Sequence, residues 1–242
     1  MEYTVNGVIA LSGDSRLKLS SEVDFVSASK ASVSLSSESA DRLSVLIKLE
    51  ADNDATAQEL AQLELNRICN LLSFHNNIGI SKSGITGMSH IVASEGQTNL
   101  FCRSTVNIGC SVNIVLTLGD TALAKLASHM KQDYSSDFDE VILMWREAIS
   151  NESSALRYLL LYRLLEFLFE SDTRALTSWI INKDPNVQLV NDRQRGEITI
   201  YTSLRDHIHP KEKGFPIKDI QGNVGKLQTL VHQRIREKYN IQ

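Results

Sequence analysis

The strongest helical signal in the chain is Tyr158-Leu159-Leu160-Leu161-Tyr162-Arg163-Leu164-Leu165-Glu166-Phe167. Apolar residues recur there and beyond at spacings of three and four, which predicts a helix over 154–171. The side chains expected in its core are Leu156, Leu159, Leu160, Leu164, Phe167 and Leu168. Because Arg157, Arg163 and Glu166 interrupt the apolar run, it predicts a core helix and not a membrane span.

Further helical patterns flank this stretch on both sides. Amphipathic segments occur at 138–149, at 173–181 after a capping Asp172, and at 224–239, and another helix is predicted to lead into residue 205. Together they predict an all-α bundle of four or five helices. A polar, turn-favouring patch at 133–137 precedes them, so we place a domain boundary there and expect domains at 1–134 and 135–242.

The first domain has the pattern of a sheet. β-Branched residues alternate with polar ones at 3–11, 32–36, 43–49 and 112–118, which predicts strands. Helices are expected at 55–74, capped by Asp54, and at 120–131. The fold class is therefore α+β, with a mixed, β-rich N-terminal domain before the helical bundle. His75, His90 and His129 are far apart in sequence and suggest no catalytic group, so the role expected for this domain is sensing or assembly.

Composition restricts the classes of function. The three cysteines are odd in number and form no CxxC pair, which favours reduced thiols and a cytoplasmic protein. The N-terminus lacks the basic and apolar regions of a signal peptide, and no membrane contact is expected. Gly-rich phosphate loops, G-x-S-x-G and H-E-x-x-H patterns do not occur, so nucleotide hydrolases, serine hydrolases and zincins are disfavoured.

Charge is distributed unevenly along the chain. The net charge is −4, yet the tail from residue 193 carries ten lysines and arginines against five acids, which leaves +5 there and −9 in the remainder. This asymmetry favours an anionic ligand near the tail, although solvated helix faces have similar compositions.

The candidate chemistry lies in this tail, in Ser203-Leu204-Arg205-Asp206-His207-Ile208-His209-Pro210. In a helix, Arg205 and His209 would share one face, while Tyr201, Leu204 and Ile208 would pack on another. A guanidinium can hold phosphate oxygens and an imidazole can transfer a proton near neutral pH, so the pair suits a phosphodiester substrate. An exposed polar helix end is the structural alternative.

An extended backbone before this motif would change its chemistry. Ile198, Ile200 and Thr202 alternate, and a strand continued through the motif would put His207 and His209 on one face as a metal-binding pair. We prefer a helix because Ile198, Tyr201, Leu204 and Ile208 form an apolar stripe. No convincing third ligand is nearby, so neither a metal nor another cofactor is expected.

Taken together, Tyr162-Arg163-Leu164-Leu165-Glu166 and the Ser203–Pro210 segment some forty residues later resemble the HEPN superfamily of small helical bundles. The resemblance covers roughly residues 138–242. It implies a four- or five-helix bundle that forms a homodimer, and a metal-independent ribonuclease of the toxin–antitoxin, abortive-infection or CRISPR type, with a role in antiviral defence. Arg205 matches the arginine of the family motif and Asp206 its polar residue. His209 comes one residue earlier than the usual spacing, where Pro210 stands.

The resemblance also implies roles for individual side chains. His209 would be the general acid or base, and Arg205 would stabilise charge on the phosphate. Asp206 would orient one of them or form a helix-end bond, and His207 would supply a second proton transfer or simply face solvent. On the preceding helix, Tyr162, Arg163 and Glu166 would support these groups. The structural alternative for that helix is an Arg163–Glu166 ion pair and a packed Tyr162.

Two hypotheses remain open at this stage. The first is a ribonuclease effector that acts on RNA and is restrained by a partner or inhibitor protein. The second is a non-catalytic HEPN-like binding or scaffold protein, related to accessory proteins such as those of methylamine utilisation, which dimerises and contacts a nucleic acid or a protein partner.

Overall fold

Alternating buried and exposed side chains form the N-terminal sheet. In β1 (Glu2–Leu11), Tyr3, Val5, Gly7 and Ile9 are buried and alternate with more exposed residues. This strand pairs antiparallel with β5 (Arg42–Glu50) on one side and β6 (Ile80–Ile91) on the other. The remaining strands of this part are β2 (Leu17–Leu19), β3 (Val23–Val26), β4 (Ser32–Ser39), β7 (Thr98–Cys102) and β8 (Leu116–Leu118). Six strands form one antiparallel sheet in the order β3-β4-β5-β1-β6-β7, and β2 pairs with β8 in parallel.

Helix α1 (Asp54–Asn76) packs on this sheet. It approaches β1 closely at Gly7, where an added Cβ would lie 3.4 Å from Leu65 Cδ2, so glycine gives the helix room at this point. The helix is capped by Asn53, whose side chain accepts the Thr56 N–H, and not by Asp54 as predicted. Asp54 instead contributes its carboxylate to the first turn, where it complements the helix dipole.

The computed structural model describes residues 1–12, 15–91, 98–102, 116–118, 120–208 and 216–241. The chain divides into two units, Met1–Ile142 and Leu143–Gln242, and the division falls within α3 (Ser136–Ile149). Helix α2 (Asp120–Lys131) completes the elements of the first unit. The predicted mixture of helix and strand, with an N-terminal sheet, is confirmed. Among the helices described, none is both long and apolar enough to cross a bilayer.

The second unit is built on two helices that pack side by side. These are α4 (Ser154–Leu168) and α7 (Ile217–Tyr239). Between them in sequence lie α5 (Thr173–Lys183), β9 (Leu189–Asp192), β10 (Gly196–Thr199) and α6 (Ile200–His207). Strands β9 and β10 form an antiparallel hairpin. The prediction of an all-α bundle for this part is therefore wrong at the hairpin. The turn-favouring run between residues 192 and 196 lets the chain reverse there, and the flanking Val190 and Ile198 pair across the two strands.

The buried face of α4 differs from the predicted one. Its buried side chains are Tyr158, Leu161, Tyr162, Leu164, Leu165 and Leu168. Leu156 and Phe167, both expected in the core, are 45% and 42% exposed. Because nearly every side of this helix carries leucine or an aromatic residue, apolar spacing alone did not identify the face that packs. The two tyrosines decide it, since both contact α6.

Glu237 on α7 is the acceptor of a small network with α5. Trp179 Nε1 donates to Glu237 Oε2 at 3.0 Å, and Lys183 Nζ lies 2.7 Å from Oε1. Burial by itself would raise the pKa of this carboxyl, but the hydrogen bonds from Lys183, Trp179 and Gln233 outweigh it and hold the pKa below its ordinary value. The charged form is therefore the one that stabilises the contact between α5 and α7.

Glu237→Gln is expected to lower the free energy of unfolding at pH 7 by about 0.5–1 kcal/mol, because the ion pair with Lys183 is lost. A carboxyl with a depressed pKa stabilises the fold above its unfolded-state pKa and loses that contribution as the pH falls through its folded-state pKa. The difference between wild type and variant should therefore shrink below about pH 4.5, the ordinary value for this group. Urea titrations followed by circular dichroism at several pH values measure it. Glu147→Gln, an exposed glutamate on α3, is the control and should show no such pH-dependent difference.

Candidate functional site

The site lies where α4 contacts α6, and two buried tyrosines hold these helices together. Tyr158 Oη donates to the Tyr201 carbonyl oxygen at 2.9 Å, and Tyr162 Oη lies 2.8 Å from Thr202 Oγ1. Burial raises the pKa of both phenols, so both stay protonated. Because the hydroxyls have partners in the interior, the polar atoms add specificity to the packing without being left unsatisfied.

Helix α6 begins at a side-chain cap that the sequence supplies. Thr199, the last residue of β10, accepts the Thr202 N–H through its Oγ1 at 3.3 Å and contacts Thr202 Oγ1 at 3.1 Å. Both threonines are buried. The change from strand to helix is therefore fixed at residue 199, which explains why the preceding residues have the alternation of a strand while 201–208 have the spacing of a helix.

This change also settles the conformation of the candidate motif. Residues 203–207 are helical, so the extended arrangement that would have aligned His207 with His209 for a metal is wrong. Within the described residues, no three histidine, cysteine or acidic side chains are grouped as metal ligands.

Arg205 is held by residues from both helices. Its Nη1 lies 2.8 Å from Glu166 Oε1 on α4, and its Nε lies 2.8 Å from Asp206 Oδ1, an ion pair whose angle falls outside hydrogen-bond geometry. The guanidinium carbon lies 4.9 Å from the centre of the Tyr162 ring, within range of a cation–π interaction. The side chain nevertheless remains 27% exposed. Arg205 is thus fixed in position, with part of its guanidinium open to solvent.

A second guanidinium reaches the same place from the β9–β10 hairpin. Arg195 forms an ion pair and hydrogen bond with Asp206, and its Nη2 lies 3.3 Å from Asp192 Oδ2. Asp192 also accepts the backbone N–H groups of Gln194 and Arg195, both at 2.9 Å, which closes the turn. The hydrogen bonds from the Arg195 side chain and from the two turn N–H groups lower the pKa of Asp192. The hydrogen bond to Asp206 and, to a smaller extent, the one to Asp192 raise the pKa of Arg195.

Sequence reasoning missed both Arg195 and Asp192. A usable signal was present, because the run Asp192-Arg193-Gln194-Arg195-Gly196 combines an acceptor side chain with a glycine, a composition typical of a turn. Gly196 has a φ of +77°, which favours glycine. A hairpin prediction there would have suggested that residue 195 approaches the start of the next helix.

The charged side chains of this site alternate in sign. We define the arginine–carboxylate cluster as the ordered set Glu166, Arg205, Asp206, Arg195 and Asp192, in which each member is ion-paired with the next. It holds three carboxylates and two guanidiniums. Each guanidinium therefore has two acidic neighbours, and Asp206 alone is shared between both of them.

His207 projects from the last turn of α6 and is exposed. Its Nδ1 lies 2.6 Å from the Ser203 carbonyl oxygen. Because a carbonyl can only accept, the contact assigns the proton to Nδ1, and in the neutral ring it leaves Nε2 with its lone pair. The imidazole is thus held in the tautomer that can accept a proton at Nε2.

The predicted site residues are only partly brought together. Arg205, Asp206, Glu166 and Tyr162 meet as described, and His207 lies on the same short helix. Arg163 is exposed, and the Glu166 carboxylate pairs with Arg205, so the alternative Arg163–Glu166 ion pair is not formed. His209 and Pro210 lie outside the described residues.

No protein family model, no curated protein and no solved structure matches the chain. Its function is therefore inferred from its own residues.

Proposed function

We propose that this chain is a HEPN-like, metal-independent endoribonuclease of the toxin or antiviral-defence type, acting in the cytoplasm as a homodimer. One observation carries the proposal. Glu166 and Tyr162 on α4 hold Arg205 on α6, and the exposed His207 follows two residues later with its proton assigned to Nδ1. A fixed guanidinium and an imidazole two residues later on the same short helix supply the two groups that phosphodiester cleavage needs.

The reaction would use the substrate's own nucleophile. The 2′-hydroxyl of RNA attacks the adjacent phosphorus while an imidazole nitrogen removes its proton, and the bond from phosphorus to the 5′-oxygen breaks. The products are a 2′,3′-cyclic phosphate and a 5′-hydroxyl, the latter receiving a proton from a second acid. Arg205 would stabilise the charge that develops on the non-bridging oxygens, which is often the largest contribution in such reactions.

The two proton transfers require two acid–base groups. His207 is suited to the first because its Nε2 keeps a lone pair. His209, or a histidine of a second copy of this chain, would supply the other. Two copies related by a two-fold axis would bring two such arginines and histidines into one cleft.

A non-catalytic binding or scaffold role is the second candidate, and a separate observation favours it. The charge of Arg205 is already compensated by Glu166 and Asp206, and a guanidinium with two acidic neighbours attracts a phosphate less strongly than a free one. In this view, Arg205 fastens α6 to α4, and the bundle binds a nucleic acid or a protein partner without cleaving it.

Incubation of the purified full-length protein with RNA in excess EDTA tests the proposal. We expect cleavage to 2′,3′-cyclic phosphate ends, and we expect no cleavage of the same sequence made with 2′-deoxy sugars, which lack the nucleophile. His207→Ala should reduce the rate by about a hundredfold or more, in the range of lost general acid–base catalysis.

His209→Ala, measured in parallel, shows which of the two histidines contributes more to the rate. A stronger loss for His209→Ala than for His207→Ala would assign the main role to His209. RNA binding without cleavage would instead support the second candidate. Cleavage that stops in EDTA, or that neither substitution changes, would contradict the proposed mechanism.

A further inference from the structure

Asp206 is the member of the arginine–carboxylate cluster that lies between both guanidiniums. Its Oδ1 faces Arg205 Nε, and its Oδ2 faces the Arg195 guanidinium. Two oxygens on one centre, each ion-paired with a different guanidinium, resemble the two non-bridging oxygens of a phosphate between two arginines. The two guanidiniums thus converge on one anionic group.

We propose that Asp206 is an internal occupant of a phosphate site formed by Arg205 and Arg195, and that nucleic acid binds when its phosphate displaces this carboxylate. The inference rests on the proposed function and deepens it, since it names the phosphate-binding residues and what restrains them. Arg195, which the sequence did not single out, becomes a substrate-binding residue on the hairpin.

The surroundings permit such an exchange. Arg195, Asp206 and Arg205 have side-chain exposures of 45%, 28% and 27%, so a polymer can reach all three. Asp206 lies in the last turn of an eight-residue helix, where its side chain can rotate into water without disturbing packed residues. The guanidiniums would keep their positions, because Glu166 holds Arg205 and Asp192 holds Arg195.

Electrostatics also explain why the Asp206 carboxylate would restrain the binding of nucleic acid. With three carboxylates and two guanidiniums, the cluster as it stands repels an anion. When the Asp206 carboxylate moves away, each guanidinium keeps one acidic neighbour, and Arg205 Nε and Arg195 Nη2 lose the carboxylate that faced them. The two guanidiniums are then balanced by two carboxylates in place of three, so the repulsion of a phosphate falls.

Asp206→Asn in the full chain is the test. The probe is a single-stranded oligonucleotide with 2′-O-methyl sugars, which presents phosphates but cannot be cleaved. We expect the variant to bind about tenfold more tightly than wild type, because the phosphate no longer has to displace a carboxylate from the two guanidiniums.

Glu197→Gln is the matched control. It removes one negative charge from an exposed residue of β10, outside the cluster, and leaves Asp206 between the guanidiniums. It should bind like wild type within about twofold, and the double variant Arg195→Ala/Asp206→Asn should lose the gain. Thermal unfolding by circular dichroism checks that each variant is folded.

The outcomes separate this inference from the proposed function. Equal tightening by Glu197→Gln would show a general charge effect and overturn the inference, as would Asp206→Asn binding no more tightly than wild type. If that happens while wild type still cleaves RNA in EDTA, the proposed function stands and only the internal occupant is wrong. Tighter binding by Asp206→Asn in a protein that never cleaves would keep the phosphate site and remove the ribonuclease.

Discussion

Arg205→Ala is expected to reduce RNA cleavage in EDTA by at least about a hundredfold, the loss seen when one donor to a developing oxyanion is removed. The reason is that Glu166 and Tyr162 hold the Arg205 guanidinium in place, and its loss leaves only one guanidinium at the site. Rates measured from labelled RNA, with product ends identified as 2′,3′-cyclic phosphates, give the comparison. The substitution should cost the fold only about 1 kcal/mol or less, because the ion pair lies at a partly solvated surface.

Two further variants make this result specific. Arg205→Lys keeps the charge but loses the planar fork, so we expect activity between that of wild type and Arg205→Ala. Arg174→Ala removes an exposed arginine from the first turn of α5 and should leave cleavage unchanged. Full activity in Arg205→Ala would mean that Arg205 only fastens α6 to α4, as the scaffold hypothesis states.

Leu161→Ala is expected to lower the free energy of unfolding of the second unit by about 2–5 kcal/mol, because a fully buried leucine leaves a cavity. For a unit of this size that corresponds to a fall of about 8 °C or more in the melting temperature. Leu156→Ala removes the same atoms from the same helix, where the side chain is 45% exposed, and should change stability by about 0.5 kcal/mol or less.

Tryptophan fluorescence measures this pair of variants directly. Both tryptophans of the chain, Trp145 and Trp179, belong to the second unit, so the fluorescence transition reports on that unit alone. Equal destabilisation by the two alanine variants would mean that Leu156 is buried as the apolar spacing predicted, and that the face of α4 described here is not the one that packs.

Much of the architecture could be predicted from the sequence because it depends on short-range pattern. Period-two alternation gave the strands at the sheet centre, and Leu123, Leu126 and Met130 gave α2 with its buried side. Asp172 was correctly identified as the cap of α5, since an aspartate before a helical pattern satisfies the first free N–H groups.

The errors arose where local pattern is ambiguous. A helix with apolar residues on nearly every side has no single preferred face. The packing of α4 therefore depends on where Tyr158 and Tyr162 find hydrogen-bond partners some forty residues later. At the start of α1, Asn53 and Asp54 are both good caps, and the backbone geometry selects Asn53. Neither choice is encoded in the spacing of apolar residues.

The candidate site was predicted only in part, because some of its contacts join residues that are far apart in sequence. The motif placed Arg205 and Asp206 together and suggested that Glu166 and Tyr162 support them, which the contacts match. Arg195 was missed because its role depends on a hairpin that turns it back toward α6, and such a long-range approach leaves no periodic signal.

The β9–β10 hairpin gives this surface a capacity for divergence. Its exposed tip, residues 193–195, connects two strands whose inward residues are few, so the sequence of the tip can change without repacking the helices. A substitution at the tip would alter the charge presented beside Asp206 while α4 and α6 kept Arg205 in place. Related proteins could therefore acquire different ligand preferences through one short segment while conserving the helical frame that supports it.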